Sequence, residues 1–324
     1  MNSEVKQHAP ERIYIIASTI VIMVIGAMKV PKDMTGVALK TILITGGARG
    51  LGKALAFDQL AKGERVIVVD DSLKKGETFL NEAKQINAGN RAIFTQANLS
   101  LIDENERIAD RVKDTFPVLD ALAFCDSGYY EEYAETEEGF EFSFALNYVS
   151  RFVLSYELKE CLEQVEHPVI VNVCATKKRG KVNWHDLQHE RGFNLRKVVK
   201  HNGQLNSLAA TAFVSNDAVK RIRYVLYDPK SAQILSVLES DEGMTKFQYR
   251  RTIKAIEKAV IPMAALLDDP PEASLSAYKR RKRLSLKSPN FNEGSAQRLY
   301  GETLDLLEYS EPETDMYEDV QADQ

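Results

Sequence analysis

The chain has 324 residues and a formal net charge of −5. That length can bury one large core, and the charge, interspersed through most of the chain, excludes a general nucleic-acid binder. Cys125, Cys161 and Cys174 form neither a disulfide framework nor a zinc spacing, so a reducing compartment and no metal are expected.

Residues 13–28 carry no charge and are bounded by Arg12 and Lys29. The run falls between the roughly 18 residues of a spanning helix and the roughly 10–14 of a buried or signal segment. Snorkelling of Lys29 extends it to Pro31. It predicts a membrane anchor within an N-terminal segment, 1–32, with an extra soluble helix or a cleaved signal as the alternatives. Lys29, Lys32 and Lys40 behind the run favour a domain in the cytosol. Without an anchor the chain would be cytoplasmic.

The domain itself is read over residues 33–309. Thr41–Thr45 (TILIT) is a β-branched run ending at Gly46-Gly47, a helical pattern follows from Leu51 to Ala61, and Arg65–Val69 (RVIVV) ends at Asp70-Asp71. Strand, turn, helix and strand within about 30 residues make a parallel βαβ unit. Further strands are read at Ala92–Thr95, Ala121–Phe124, Val169–Val173 and Tyr224–Leu226. Helices are read at Glu104–Phe116, Phe140–Leu162 and Leu205–Arg223. The alternation predicts an α/β fold of Rossmann type, a doubly wound parallel sheet in a single domain. Beyond it, Tyr249–Leu267 and Glu293–Tyr309 read as helices on either side of Pro270-Pro271 and the basic run Lys279–Arg283. Residues 310–324 hold six acids and no Lys or Arg, the composition of a disordered acidic tail.

Gly46-Gly47-Ala48-Arg49-Gly50-Leu51-Gly52 sits where a strand passes into a helix. Glycines there permit a tight turn and close approach to a pyrophosphate, whose charge the helix N-terminus stabilises. Asp70, at the end of the next strand, can accept bonds from ribose hydroxyls and would repel a 2′-phosphate, which favours NAD over NADP. Arg49 argues the other way, since a cation in this loop can reach such a phosphate.

These residues resemble the short-chain dehydrogenase/reductase family, in the branch of retinol dehydrogenases and WW-domain oxidoreductases. The resemblance runs from about Asp33 to Leu307. Thr45-Gly46-(x)3-Gly50-Leu51-Gly52 looks like the cofactor loop, and Asn98-Leu99 stands where the family has an Asp-Leu that contacts adenine. Thr136-Glu137-Glu138-Gly139-Phe140-Glu141 looks like the segment leading to the family's helix asparagine, here Asn147. Val171-Asn172-Val173 matches the fifth strand, and Trp184-His185-Asp186-Leu187 a segment after it. Cys125-Asp126-Ser127-Gly128 replaces the family's NNAG, leaving Gly128 as its match for cofactor contact.

The resemblance implies hydride transfer with a tyrosine as proton donor, its pKa lowered by a lysine four residues later, a serine to position the oxygen and the asparagine to complete a relay. A phenol near its usual pKa of about 10 is a poor base at neutrality without that lysine. Only Asn147 is kept. Ala175 stands at the serine position, and aligning on Ser207 puts Gln204 at the tyrosine and Leu208 at the lysine. The family's PG turn after its sixth strand reads Pro229-Lys230, and the only literal YxxxK, Tyr278 to Lys282, falls in the charged C-terminal stretch. His201, with Lys177, Lys178, Arg179, His185 and His189, could have taken over the proton work.

The leading reading is thus a non-catalytic member that binds NAD(H) as a structural or sensing ligand. The alternatives are an active NAD(P)-dependent oxidoreductase on a lipophilic alcohol or ketone, and an interaction protein with a vestigial nucleotide site. Cys125 and Cys174, at the ends of neighbouring strands, are expected within about 7 Å at Cα, either as a redox pair or as buried free thiols.

Overall fold

The computed structural model describes residues 39–176, 181–229 and 246–307. The apolar run 13–28 and the acidic tail 310–324 lie outside these residues. Among the described residues no helix is long and apolar enough to cross a membrane.

Seven parallel strands carry the fold: β1 (Thr41–Thr45), β2 (Arg65–Asp70), β3 (Ala92–Gln96), β4 (Ala121–Phe124), β5 (Val169–Val173), β6 (Arg223–Asp228) and β7 (Leu275–Lys279). Lys282–Arg283 (β8) closes an antiparallel hairpin on β7, giving the order β3-β2-β1-β4-β5-β6-β7-β8. Strand order reverses between β1 and β4, which are neighbours in space, and a crevice at the carboxyl ends of such strands is where this architecture binds ligands.

The apolar runs form strands because both sheet faces are covered. Ile42, Ile44, Val66, Val68, Val169 and Val171 pack on one face with α1 (Gly50–Ala61) and α8 (Lys246–Asp268). Leu43, Ile67, Val69, Leu122 and Ile170 pack on the other, under α3 (Ile102–Thr115), α5 (Ser150–Glu157), α6 (Lys159–Glu163) and α7 (Leu195–Asn216). Strands buried on both sides read as continuous hydrophobic runs. α9 (Glu293–Leu306) packs outside α7 around Leu205, Leu208, Ala296 and Leu299.

The sequence reading left out β7 and the helix α2 (Leu73–Gln85), and two of its helices change. α2 joins β2 to β3; it is capped by Ser72 and packs Gly76 against the Phe94 ring. The helix read as Phe140–Leu162 is α4 (Phe142–Phe144), a π-helical turn at Ala145–Val149, then α5 and α6. The helix read as Leu205–Arg223 starts ten residues earlier, at Leu195, and ends at Asn216. Tyr278 and Lys282 belong to the β7–β8 hairpin, so their spacing is not that of a helix face.

Candidate active site

The loop after β1 has the geometry its sequence predicts. Gly46 has φ +62, and a Cβ there would lie 2.6 Å from the Asp126 backbone. Gly52 packs its Cα against the Gly46 carbonyl, where a Cβ would be 2.3 Å away. Leu51 points into the core, while Arg49, the N-cap of α1, makes no side-chain capping bond and the first turn holds no acid. The N-terminus of α1 thus offers its backbone N–H groups and the positive end of its dipole to an anion.

Asp70 closes the next strand beside this loop. It is 4 % exposed and accepts from the Ala48 N–H at 3.3 Å and the Ser72 N–H at 3.4 Å. Burial, then a hydrogen bond with Asp71, pushes its carboxyl up to about 6 against the usual 3.8, and Arg49 opposes the rise. Arg49 itself sits 3.8 Å from the exposed Asp71 carboxylate. Asn98, exposed after β3, accepts from the Ser100 N–H and hydroxyl at 3.2 and 2.7 Å. Gly46, Gly50, Gly52, Arg49, Asp70 and Asn98 therefore follow β1, β2 and β3 along one edge of the sheet.

Asn147 lies in the π turn, a helical defect often found at functional sites. Its amide donates to the Gly128 carbonyl and to the Ser143 carbonyl, both at 2.8 Å, and its Oδ1 is buried with no protein partner. Around it lies a polar network that the sequence reading missed. Arg151, 3 % exposed, donates from Nη1 to Asn172 Oδ1 at 2.8 Å and the Val173 carbonyl at 3.0 Å, and from Nη2 to the Asp126 carbonyl at 2.7 Å. Asn172 donates to Asn206 Oδ1 at 2.7 Å, and Asn206 donates to the Asn147 carbonyl at 2.7 Å. Asn202 donates to the Ser143 carbonyl at 3.0 Å. Thr45 donates its hydroxyl to Asp126 in a short bond that ties the ends of β1 and β4.

These groups line a cavity that is partly open to solvent and whose interior, about 10 Å³, has room for one water molecule. Its walls include Tyr129, Asn147, Arg151, Ala175, Asn202 and Asn206. The α7 face toward it therefore presents Asn202 and Asn206, not Gln204 and Leu208. Leu208 is 1 % exposed in the apolar cluster with Tyr148 and Leu299, and Gln204 is buried off the cavity. Asn202 and Asn206, four residues apart, thus line the cavity, while Gln204 and Leu208, the positions aligned on Ser207, do not. Ala175 does line the cavity, as expected. Its carbonyl touches the helix so closely that a Cβ on Gly203 would be 2.1 Å from it.

Two titratable groups of the cavity wall are shifted upward by burial. Burial pushes Tyr129 up to about 12, with Arg151 opposing, and burial pushes Cys174 to about 12. His201 lies off the cavity; burial and His189 lower it to about 4, and its Nε2 accepts from the Asn183 N–H at 3.1 Å. Its ring meets that of His189 edge-on at 4.7 Å. His185 is exposed, and Lys177, Lys178, Arg179 and Lys230 lie outside the described residues. No group of His, Cys, Asp or Glu suited to a metal occurs among the described residues.

Cys125 and Cys174 follow β4 and β5 as expected, and both are free and buried. Their side chains enter opposite faces of the sheet, Cys125 with Val171 and Val173, Cys174 with Ile170 and Leu226. Adjacent strands bring the backbones together, but the pleat points the sulfurs apart, so the redox pair is ruled out.

Residues 40–185 match the profile described as short chain dehydrogenase. A Streptomyces sp. (strain C5) chain named for daunorubicin C-13 ketoreductase is 24 % identical over 82 % of this chain and 91 % of its own. Retinol dehydrogenase 12 of Mus musculus is 23 % identical over 83 % of this chain and 86 % of its own. A short chain dehydrogenase from Shigella flexneri 2a, solved with NADP, superposes with a TM-score of 0.53 at 15 % identity, covering 75 % of this chain and 97 % of its own. Its glycine loop and strand order agree with these comparisons: the chain is similar to short chain dehydrogenases over residues 40–185, and retinol dehydrogenases are among its relatives.

Proposed function

We propose that this protein holds NAD(H) as a structural or sensing ligand and does not transfer hydride. The observation that carries this reading is the cavity wall. Ala175, Asn202 and Asn206 stand on the surfaces around Asn147 where proton transfer would take place, and none of them titrates. Tyr129 and Cys174 are held near 12 by burial. The ligand side rests on the uncapped helix N-terminus, the Gly46–Gly52 turn and the Asp70 carboxylate; the NADP-bound relative supports a nicotinamide dinucleotide as the class. When bound, such a cofactor supplies hydride chemistry; here Asp70 would hold the ribose and the first turn of α1 the pyrophosphate.

The test is a calorimetric titration of the full-length protein with NAD(H) and NADP(H), beside turnover assays with retinoid, steroid and simple aldehyde substrates. Binding without hydride transfer above background is expected. Positioned acid–base groups are worth about 10²–10⁴-fold, so a complete set would be visible. Measurable turnover overturns the reading. The uncharged run 13–28 further supports a membrane anchor with the domain in the cytosol; recovery in the soluble fraction after a carbonate wash counts against that.

A further inference from the structure

We propose that the site reads only the adenosine-diphosphate half of its ligand and has no place for a nicotinamide ring. The inference rests on the reading above and narrows it: the ligand class becomes adenine nucleotides carrying a diphosphate, such as ADP or ADP-ribose.

The sheet order fixes where each half of a dinucleotide must lie. With Asp70 on the ribose and the N-terminus of α1 on the pyrophosphate, the adenine half lies over β2 and β3. The other half then has to cross the switch point between β1 and β4 and run over the ends of β4 and β5. The two sides differ in what they offer. On the adenine side, Asp71 and Asn98 are exposed and the first turn of α1 is uncapped.

On the other side the chain fills the space with its own groups. The short Thr45–Asp126 bond and the close Gly46–Asp126 backbone contact tie the two strand ends together. Beyond them the cavity has room for one water, where a six-membered ring with a carboxamide would have to go. Its walls do not yield to a rotamer change. Arg151 spends two of its nitrogens on three acceptors at the ends of β4 and β5, and moving it would strand a buried cation. Asn206 is held from both sides, by Asn172 and by the Asn147 carbonyl. α7 cannot back away from one side chain only, because Gly203 lies directly on the Ala175 carbonyl. Tyr129 completes the wall, its hydroxyl bonded to Ser127.

The experiment is a calorimetric series on the full-length protein with ADP, ADP-ribose, NAD+ and NADH, with saturation-transfer NMR on the NAD+ complex. The inference expects ADP-ribose and NAD+ to bind within about threefold of each other, because a ring without contacts adds no affinity. Adenine protons should saturate and nicotinamide protons should not. NAD+ binding about tenfold or more tighter than ADP-ribose, with saturated nicotinamide protons, overturns the inference and leaves the dinucleotide reading intact. Binding of none of the four overturns that reading, and the inference with it.

Discussion

The Asn206 side-chain amide donates to the main-chain carbonyl of Asn147 at 2.7 Å, joining α7 to the π turn of the neighbouring helix. A π turn interrupts the regular ladder of the helix, and buried carbonyls near such a break need a partner from elsewhere. Asn206→Leu keeps the volume and removes the donor. It leaves the Asn147 carbonyl and the Asn172 amide without this partner, and should cost about 1–3 kcal/mol in urea unfolding. A loss below about 0.5 kcal/mol would mean that another group takes over both bonds.

The helix face toward the cavity makes a comparison of two lysines informative. Leu208→Lys places an ammonium in an apolar cluster at a residue 1 % exposed, and should destabilise by about 4 kcal/mol or more or abolish soluble expression. Asn206→Lys, among amide and carbonyl groups beside the cavity, should cost clearly less. Equal losses, measured side by side in denaturant, would count against this assignment of the helix face.

Asp70 sets a pH dependence. Its carboxyl is held at about 6 against 3.8 by burial and Asp71, so the fold favours its proton. That contribution is fully present below about pH 3.8 and is lost as pH rises through about 6. In Asp70→Asn the cost of the buried charge is gone, so the melting temperature relative to the parent should rise from about pH 4 to about pH 8. Ribose hydroxyls need the carboxylate as acceptor, so NAD+ affinity should climb about tenfold between about pH 5 and about pH 7. A flat profile in the parent would remove Asp70 from the ribose site.

Cofactor choice follows from the same residue. NAD(H) should bind more tightly than NADP(H), because a carboxylate opposes a third phosphate. Asp70→Ala should narrow or reverse the difference through Arg49, which lies 3.8 Å from the Asp71 carboxylate. Equal affinities in the parent protein, read by calorimetry, would refute the preference.

All three thiols are buried, and burial raises each pKa, Cys174 to about 12. A thiol reacts as its thiolate, so Ellman's reagent should label the native protein slowly and all three sulfurs at once on unfolding. Non-reducing electrophoresis after mild oxidation should show no internal cross-link between Cys125 and Cys174.

Six strands were legible because they read as short apolar runs, and Ala121–Phe124 and Val169–Val173 appear at the bounds expected; the partly buried β7 was not. α2 was not, since Phe79 and Ala83 are its only buried apolar side chains and Gly76 interrupts its pattern. The glycine loop and Asp70 were legible through spacing alone. The opposite half was hidden by its chemistry. His201, Asn202, Gln204 and Asn206 are buried polar residues, so the first turns of α7 read as solvated loop and the sequence pattern places the helix start at Leu205. Asn202 and Asn206 share a face at i,i+4 spacing, a signal that was present but overruled by Ser207. Arg151 gave no signal, because a cation inside a helix normally reads as surface.

The contact of Gly203 with the Ala175 carbonyl couples α7 to the end of β5. A helix seated directly on the strand exit leaves no space for a larger residue at 203. Any side chain there has to lift this part of α7 off the sheet, and Asn202 and Asn206 move with it. Helix and strand end therefore act as one rigid piece, and the width of the cavity beside Asn147 is set by backbone contact as much as by the side chains that line it.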